Sequence, residues 1–162
     1  MNITTKNNFP EEIKAKKVLE SILTKYNVPI FTKNIVIEKD SIPHSHPILT
    51  LNARTDDSLV VLKTFVHEQF HWFEAEHSRL DETINFLKEK YKNNDEFKDE
   101  KSFYIHIVVC FNTRNSLEKL VSNEELEYIY KQWQPYPKME KFIEENFNEI
   151  KNDLEKFGMV FV

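Results

Sequence analysis

Residues 67–71 read His67-Glu68-Gln69-Phe70-His71, the pattern HExxH, and their surroundings call for a buried helix. Leu59, Leu62, Phe65, Val66, Phe70 and Phe73 recur at helical spacing. Asp56 or Asp57 is a good N-cap for a helix starting at Ser58. On such a helix, positions i and i+4 lie one above the other on a single face. His67 and His71 can therefore present two imidazoles to one metal ion, with Glu68 beside it to hold and deprotonate a water. The competing reading is a pair of ordinary histidines on a core-edge helix, hydrogen-bonded to backbone or carboxylates. A buried helix carrying two histidines must satisfy them in some way, because unpaired buried polar groups are costly.

Other features narrow the function class. One cysteine in 162 residues, Cys110, excludes an intrachain disulfide and any cysteine-based zinc cluster. The lone glycine, Gly158, excludes glycine-rich phosphate loops and dinucleotide fingerprints. A net charge of −5 with lysines scattered among acids gives no basic stripe, so no nucleic-acid partner is expected. Met1 to Phe9 is polar and carries no signal-peptide core, and no apolar run is long enough to span a bilayer. The expectation is one cytoplasmic domain over 1–162, with no membrane partner. The residues do not indicate an oligomeric state.

Periodicity divides the chain into elements. Residues 10–26 read as a helix, and 29–38 and 48–54 as strands separated by a turn-rich link over 40–47. The motif helix is expected over 58–77, followed by a helix over 80–91 and a charged surface loop over 92–101. The run Phe103 to Phe111 is β-branched, but its continuation through Leu117 and Leu120 favours a helix. Ser122-Asn123-Glu124-Glu125 is a capping box opening a helix toward Trp133, stopped by Pro135 and Pro137. Met139 to Phe157 reads as one amphipathic last helix with Gly158 as its C′ residue.

A catalytic zinc takes three protein ligands and a water, so a third ligand is needed. Residues 67–77 match the metzincin pattern HExxHxxGxxH except at Glu74, where the pattern has glycine. That glycine lets the chain turn sharply out of the helix. Glu74-Ala75-Glu76 favours continuing the helix, which would carry His77 about 15 Å from His67. Met139 is a poor Met-turn residue, because it fits the apolar face of the last helix. The second candidate is His106, a histidine inside an apolar run, where a later helix could deliver it to the first. The expected ligand set is His67, His71 and His106.

Three stretches together, HSHPILTLNAR (44–54), FVHEQFHWF (65–73) and YIHIVVCF (104–111), resemble a group of bacterial zincin-like proteins. The resemblance covers residues from about 40 to 137. It implies a metallopeptidase fold with His106 near the metal, and it names no substrate. The fold expected from the elements and the motif is an α+β, zincin-like, mostly helical domain with a small sheet before the HExxH helix.

Several side chains are candidates for supporting roles. Residues 47–53 read either as a plain sheet strand or as an edge that pairs with an extended peptide. His44 and His46 fit a solvated or hydrogen-bonded turn better than an accessory contact. Among Tyr128, Tyr130 and Tyr136, Tyr136 between two prolines is the expected substrate contact, able to donate to a developing alkoxide, with packing as the competing role. Glu74 and Glu76 read as the solvated end of the motif helix, with a carboxylate that orients a ligand histidine as the alternative. Cys110 reads as a small core residue. The activity expected from the residues is hydrolysis of a peptide or protein substrate by Zn²⁺, with Glu68 as general base. Two alternatives stand beside it: a non-catalytic metal-binding sensor or interaction module, and a metal-dependent hydrolase of a non-peptide amide.

Overall fold

A computed structural model describes residues 1–92, 101–132 and 135–162. The charged loop expected over 92–101 falls mostly outside these residues, as does Trp133, although Lys101 already belongs to a helix. The chain is α+β. Three short strands, β1 (Asn2–Thr5), β2 (Asn34–Ile37) and β3 (Leu49–Leu51), form one parallel sheet in the order β1-β2-β3. All three precede the motif helix. β1 was not apparent in the sequence, and the other two strands are shorter than their apolar patterns suggest.

Helix α1 (Pro10–Lys25) joins β1 to β2 and packs on both the sheet and α2 (Ser58–Ala75). Pro10 sits at its start, where a missing N–H costs nothing. Glu12, fully buried, joins three segments. Its carboxylate accepts N–H bonds from Asn7 (2.9 Å) and Phe9 (3.3 Å) ahead of the helix, and from Lys39 (3.1 Å) after β2.

Asp57 caps α2 as expected, accepting from the N–H groups of Leu59 and Val60. Its other carboxylate oxygen accepts from the Tyr128 hydroxyl at 2.6 Å. Helices α3 (Leu80–Tyr91) and α4 (Lys101–Leu120) follow, so the ambiguous run over 103–111 is helical. α4 separates two apolar clusters. Val109 and Leu117 pack with α1, the sheet and α2, while Tyr104, Ile107, Val108 and Phe111 pack with α3 and the C-terminal helices. α5 (Asn123–Gln132) opens on the expected reciprocal box between Ser122 and Glu125.

The last helix is in fact two, α6 (Pro137–Glu145) and α7 (Phe147–Glu155). They break at Asn146, whose side chain donates to the Phe142 carbonyl, competing with the helical ladder. Gly158 does end α7. At φ 70° it takes the left-handed turn, and bonds from Met159 N–H to Leu154 and from Gly158 N–H to Glu155 complete a Schellman motif. Cys110 is buried, as expected of a core residue. Among the described residues, no helix is long and apolar enough to cross a membrane.

Burial alone would raise the Glu12 pKa, but the N–H groups of Asn7, Lys39 and Phe9 outweigh it and hold the carboxyl below its ordinary 4.5. A carboxyl lowered on folding contributes stability above its unfolded value and loses it as pH falls through the folded value. Glu12→Gln should therefore be less stable than the parent at neutral pH, and the gap should close as pH drops below about 4.5. Urea unfolding across a pH series measures this. A gap that does not change with pH would contradict the assignment.

Candidate metal centre

α2 and α4 pack more extensively on each other than any other two elements, and their contact brings the histidines together. His67 and His71 lie one turn apart on α2, and His106 reaches them from α4. Ring centroids stand 5.0 Å apart for His67–His71, 5.0 Å for His71–His106 and 5.9 Å for His67–His106. One nitrogen from each ring lies within 4.8 Å of the others, close enough to hold a metal ion. Nitrogens about 2.0–2.1 Å from a shared tetrahedral zinc stand about 3.3–3.4 Å apart, so the rings would close further on binding an ion.

The electrostatics favour neutral imidazoles at His67 and His106. Burial pushes His67 well below its ordinary pKa, and the neighbouring His71 and His106 add to this. Burial also lowers His106, and its bond to the Ser102 carbonyl only partly resists. His106 Nδ1 donates to that carbonyl at 2.7 Å, which holds the proton on Nδ1 and leaves Nε2 as the free lone pair. Glu68 is buried beside the cluster. Desolvation raises its carboxyl to about 7, with nearby His71 and His44 opposing part of the rise.

Glu74 differs from its expected place at the solvated end of the helix. It is buried, with Oε1 3.6 Å from His71 Nδ1 and Oε2 without a hydrogen-bond partner. It is thus enclosed next to His71 rather than solvated. The sequence signal was its i+3 spacing from His71. Glu76 is exposed, as expected. The Ser102 carbonyl was not foreseen, because a backbone acceptor four residues before a histidine leaves no mark in residue identity.

His77 takes no part in the cluster. The helix ends at Ala75, earlier than expected, and the next residues turn away. The His77 ring packs on Phe73 at 5.8 Å and lies beside Gly158, and its Nδ1 accepts from the Arg79 N–H. The helix therefore stops short of His77 rather than carrying it onward, and His77 still lies elsewhere.

Tyr136 stands at the cluster. Its ring is 4.4 Å from that of His106 and 5.8 Å from that of His67. Tyr128 instead binds Asp57, and Tyr130 lies under the buried Lys63 ammonium at 3.9 Å. The link over 40–47 runs beside Trp72 of α2 as a hydrogen-bonded turn. His44 Nδ1 bonds the Ile42 carbonyl, Trp72 Nε1 donates to the Ser45 carbonyl, and the His46 ring stacks on Trp72 at 4.3 Å. The outward N–H and C=O of Thr50 in β3 pair with His44, so at Thr50 the strand edge is already occupied from within the chain.

No protein family matches the chain, and no curated protein or solved structure matches it.

If the three histidines form one centre, Zn²⁺ at 100-fold its Kd should stabilise the fold by about 2.7 kcal/mol, raising Tm by roughly 5–10 °C. His106→Ala should abolish most of that rise, whereas His77→Ala should preserve it. Thermal denaturation with and without zinc distinguishes them. The reverse pattern would assign the third ligand to His77.

Proposed function

We propose that the chain is a zinc-dependent metallopeptidase of zincin-like fold. In this reading His67, His71 and His106 hold Zn²⁺, Glu68 is the general base and Tyr136 contacts the substrate. The observation that carries the proposal is the arrival of His106 from α4 within 4.8 Å of the HExxH pair. The donor set fits the ion. Three imidazoles, with water as the fourth ligand, are a donor set of catalytic zinc sites. Glu74 Oε1, 3.6 Å from His71 Nδ1, and the Ser102 carbonyl, bonded to His106 Nδ1, stand where supports for such ligands belong. The three stretches that resemble the zincin-like group include all three histidines.

Zinc held by His67, His71 and His106 would supply a Lewis acid that polarises a carbonyl and makes water easier to deprotonate. The remaining chemistry belongs to the chain. Glu68, held near 7 by burial, accepts a proton from the attacking water and passes it to the departing amine. Burial raises the Tyr136 phenol above its ordinary range, so it keeps its proton at neutral pH. It can then donate a hydrogen bond to the carbonyl oxygen as negative charge builds on it.

Glu68→Gln keeps the shape of the side chain and removes the base. It should retain about one zinc per chain and lose about 10²-fold or more in turnover. Elemental analysis and cleavage of a peptide library followed by mass spectrometry measure the two. Parental activity in the variant would refute the role of Glu68. A zinc-loaded parent that cleaves nothing would favour a non-catalytic metal-binding module.

A further inference from the structure

A cavity of about 380 Å³ opens beside His106 of the histidine cluster. Phe103 and His106 of α4 form one wall, and Tyr136, Pro137 and Met139 at the start of α6 form the other. The exposed Ser102 and Lys138 complete the lining. The cavity and the histidine cluster share a boundary, because His106 supplies one imidazole and the Tyr136 ring lies against it. Beyond that boundary the lining is mainly carbon: the Phe103 ring, the Pro137 ring and the buried Met139 side chain. Among the described residues, the lining holds no carboxylate. The volume lies near the lower end of the roughly 300–1,000 Å³ typical of ligand pockets, which suits one large side chain.

We infer that this cavity is a specificity subsite for a large apolar side chain, aromatic or long aliphatic, on the substrate residue flanking the scissile bond. The inference rests on the peptidase reading above. A peptide whose carbonyl meets the cluster carries its next side chain only about 3.3–3.6 Å further along the chain, and the cavity begins at His106 itself. Met139 adapts its shape, so rings and branched chains can both be accommodated. Pockets of this kind discriminate by roughly 10-fold or more for a single methylene of buried apolar surface, so a whole phenyl group should exceed that.

Calorimetric titration of the zinc-loaded full chain with two hydroxamates, acetohydroxamate and phenylpropanoyl hydroxamate, reads the subsite without requiring turnover. The phenyl-bearing probe should bind at least about 10-fold more tightly. Ser102→Trp and Lys138→Trp crowd the cavity from its two walls, and each should reduce that ratio to below about 3-fold. Using the ratio makes each variant its own reference. Equal affinities in the parent, or a preference that neither variant reduces, would overturn the subsite. Failure of both probes to bind would overturn it together with the metal centre. The two readings can fail separately. Turnover that depends on Glu68 with a ratio of one removes the subsite and keeps the peptidase. A preserved ratio without peptide turnover removes the peptidase and leaves the cavity an apolar ligand site beside the metal centre.

Discussion

Burial of α2 is the constraint on which the rest of the structure depends. Lys63, Thr64, His67, Glu68, Gln69 and Glu74 are all buried on this helix, alongside Leu62, Phe65, Val66 and Phe70. An unsatisfied buried polar group costs about 1–3 kcal/mol, so each must find a partner or serve a function. Gln69 is fully engaged. Its carbonyl accepts from Phe31 and Thr32, and its amide donates back to Thr32, which fastens α2 to the segment leading into β2. Lys63 bonds Glu140 at 2.7 Å and lies over the Tyr130 ring, which ties α2 to α6 and α5. Thr64 bonds back to Val60. His67, Glu68 and Glu74 remain, and these are the groups at the proposed metal centre.

The same logic gives α4 its role. An isolated helix could carry the HExxH pair but no third ligand, so the centre depends on how two helices meet. α4 is buried on both sides, and its register against α2 is set by Val109 and Leu117 in one cluster and by Ile107, Val108 and Phe111 in the other. His106 falls one residue before Ile107, on the face turned to His71. Its geometry is therefore a by-product of apolar packing, while its tautomer is set locally by Ser102.

The sequence revealed those parts of this arrangement that depend on local chemistry. The Asp57 cap, the HExxH face, the Ser122–Glu125 box and the Gly158 turn are encoded within a few residues, and the structure contains each of them. Features that depend on distant partners were less visible. β1 has one apolar residue in four and exists because it pairs with β2, so no periodicity marks it. Glu74 looked solvated because its type is charged, and only the packing of neighbouring elements shows that its carboxylate is enclosed. The break at Asn146 was hidden by an apolar period that continues across it, since periodicity reports which face is buried and not whether the ladder is intact.

The C-terminal segment is bound to the centre of the molecule. Asn112 donates to the Met159 carbonyl and accepts from the Phe161 N–H, and Asn115 donates to the Phe161 carbonyl. The Phe161 ring then joins Phe31, Phe70 and Phe73 in the aromatic group behind the HExxH turn. That group draws on residues from 31 to 161. During synthesis, the ribosome must therefore have delivered nearly every residue described here before the back of the motif helix is sealed.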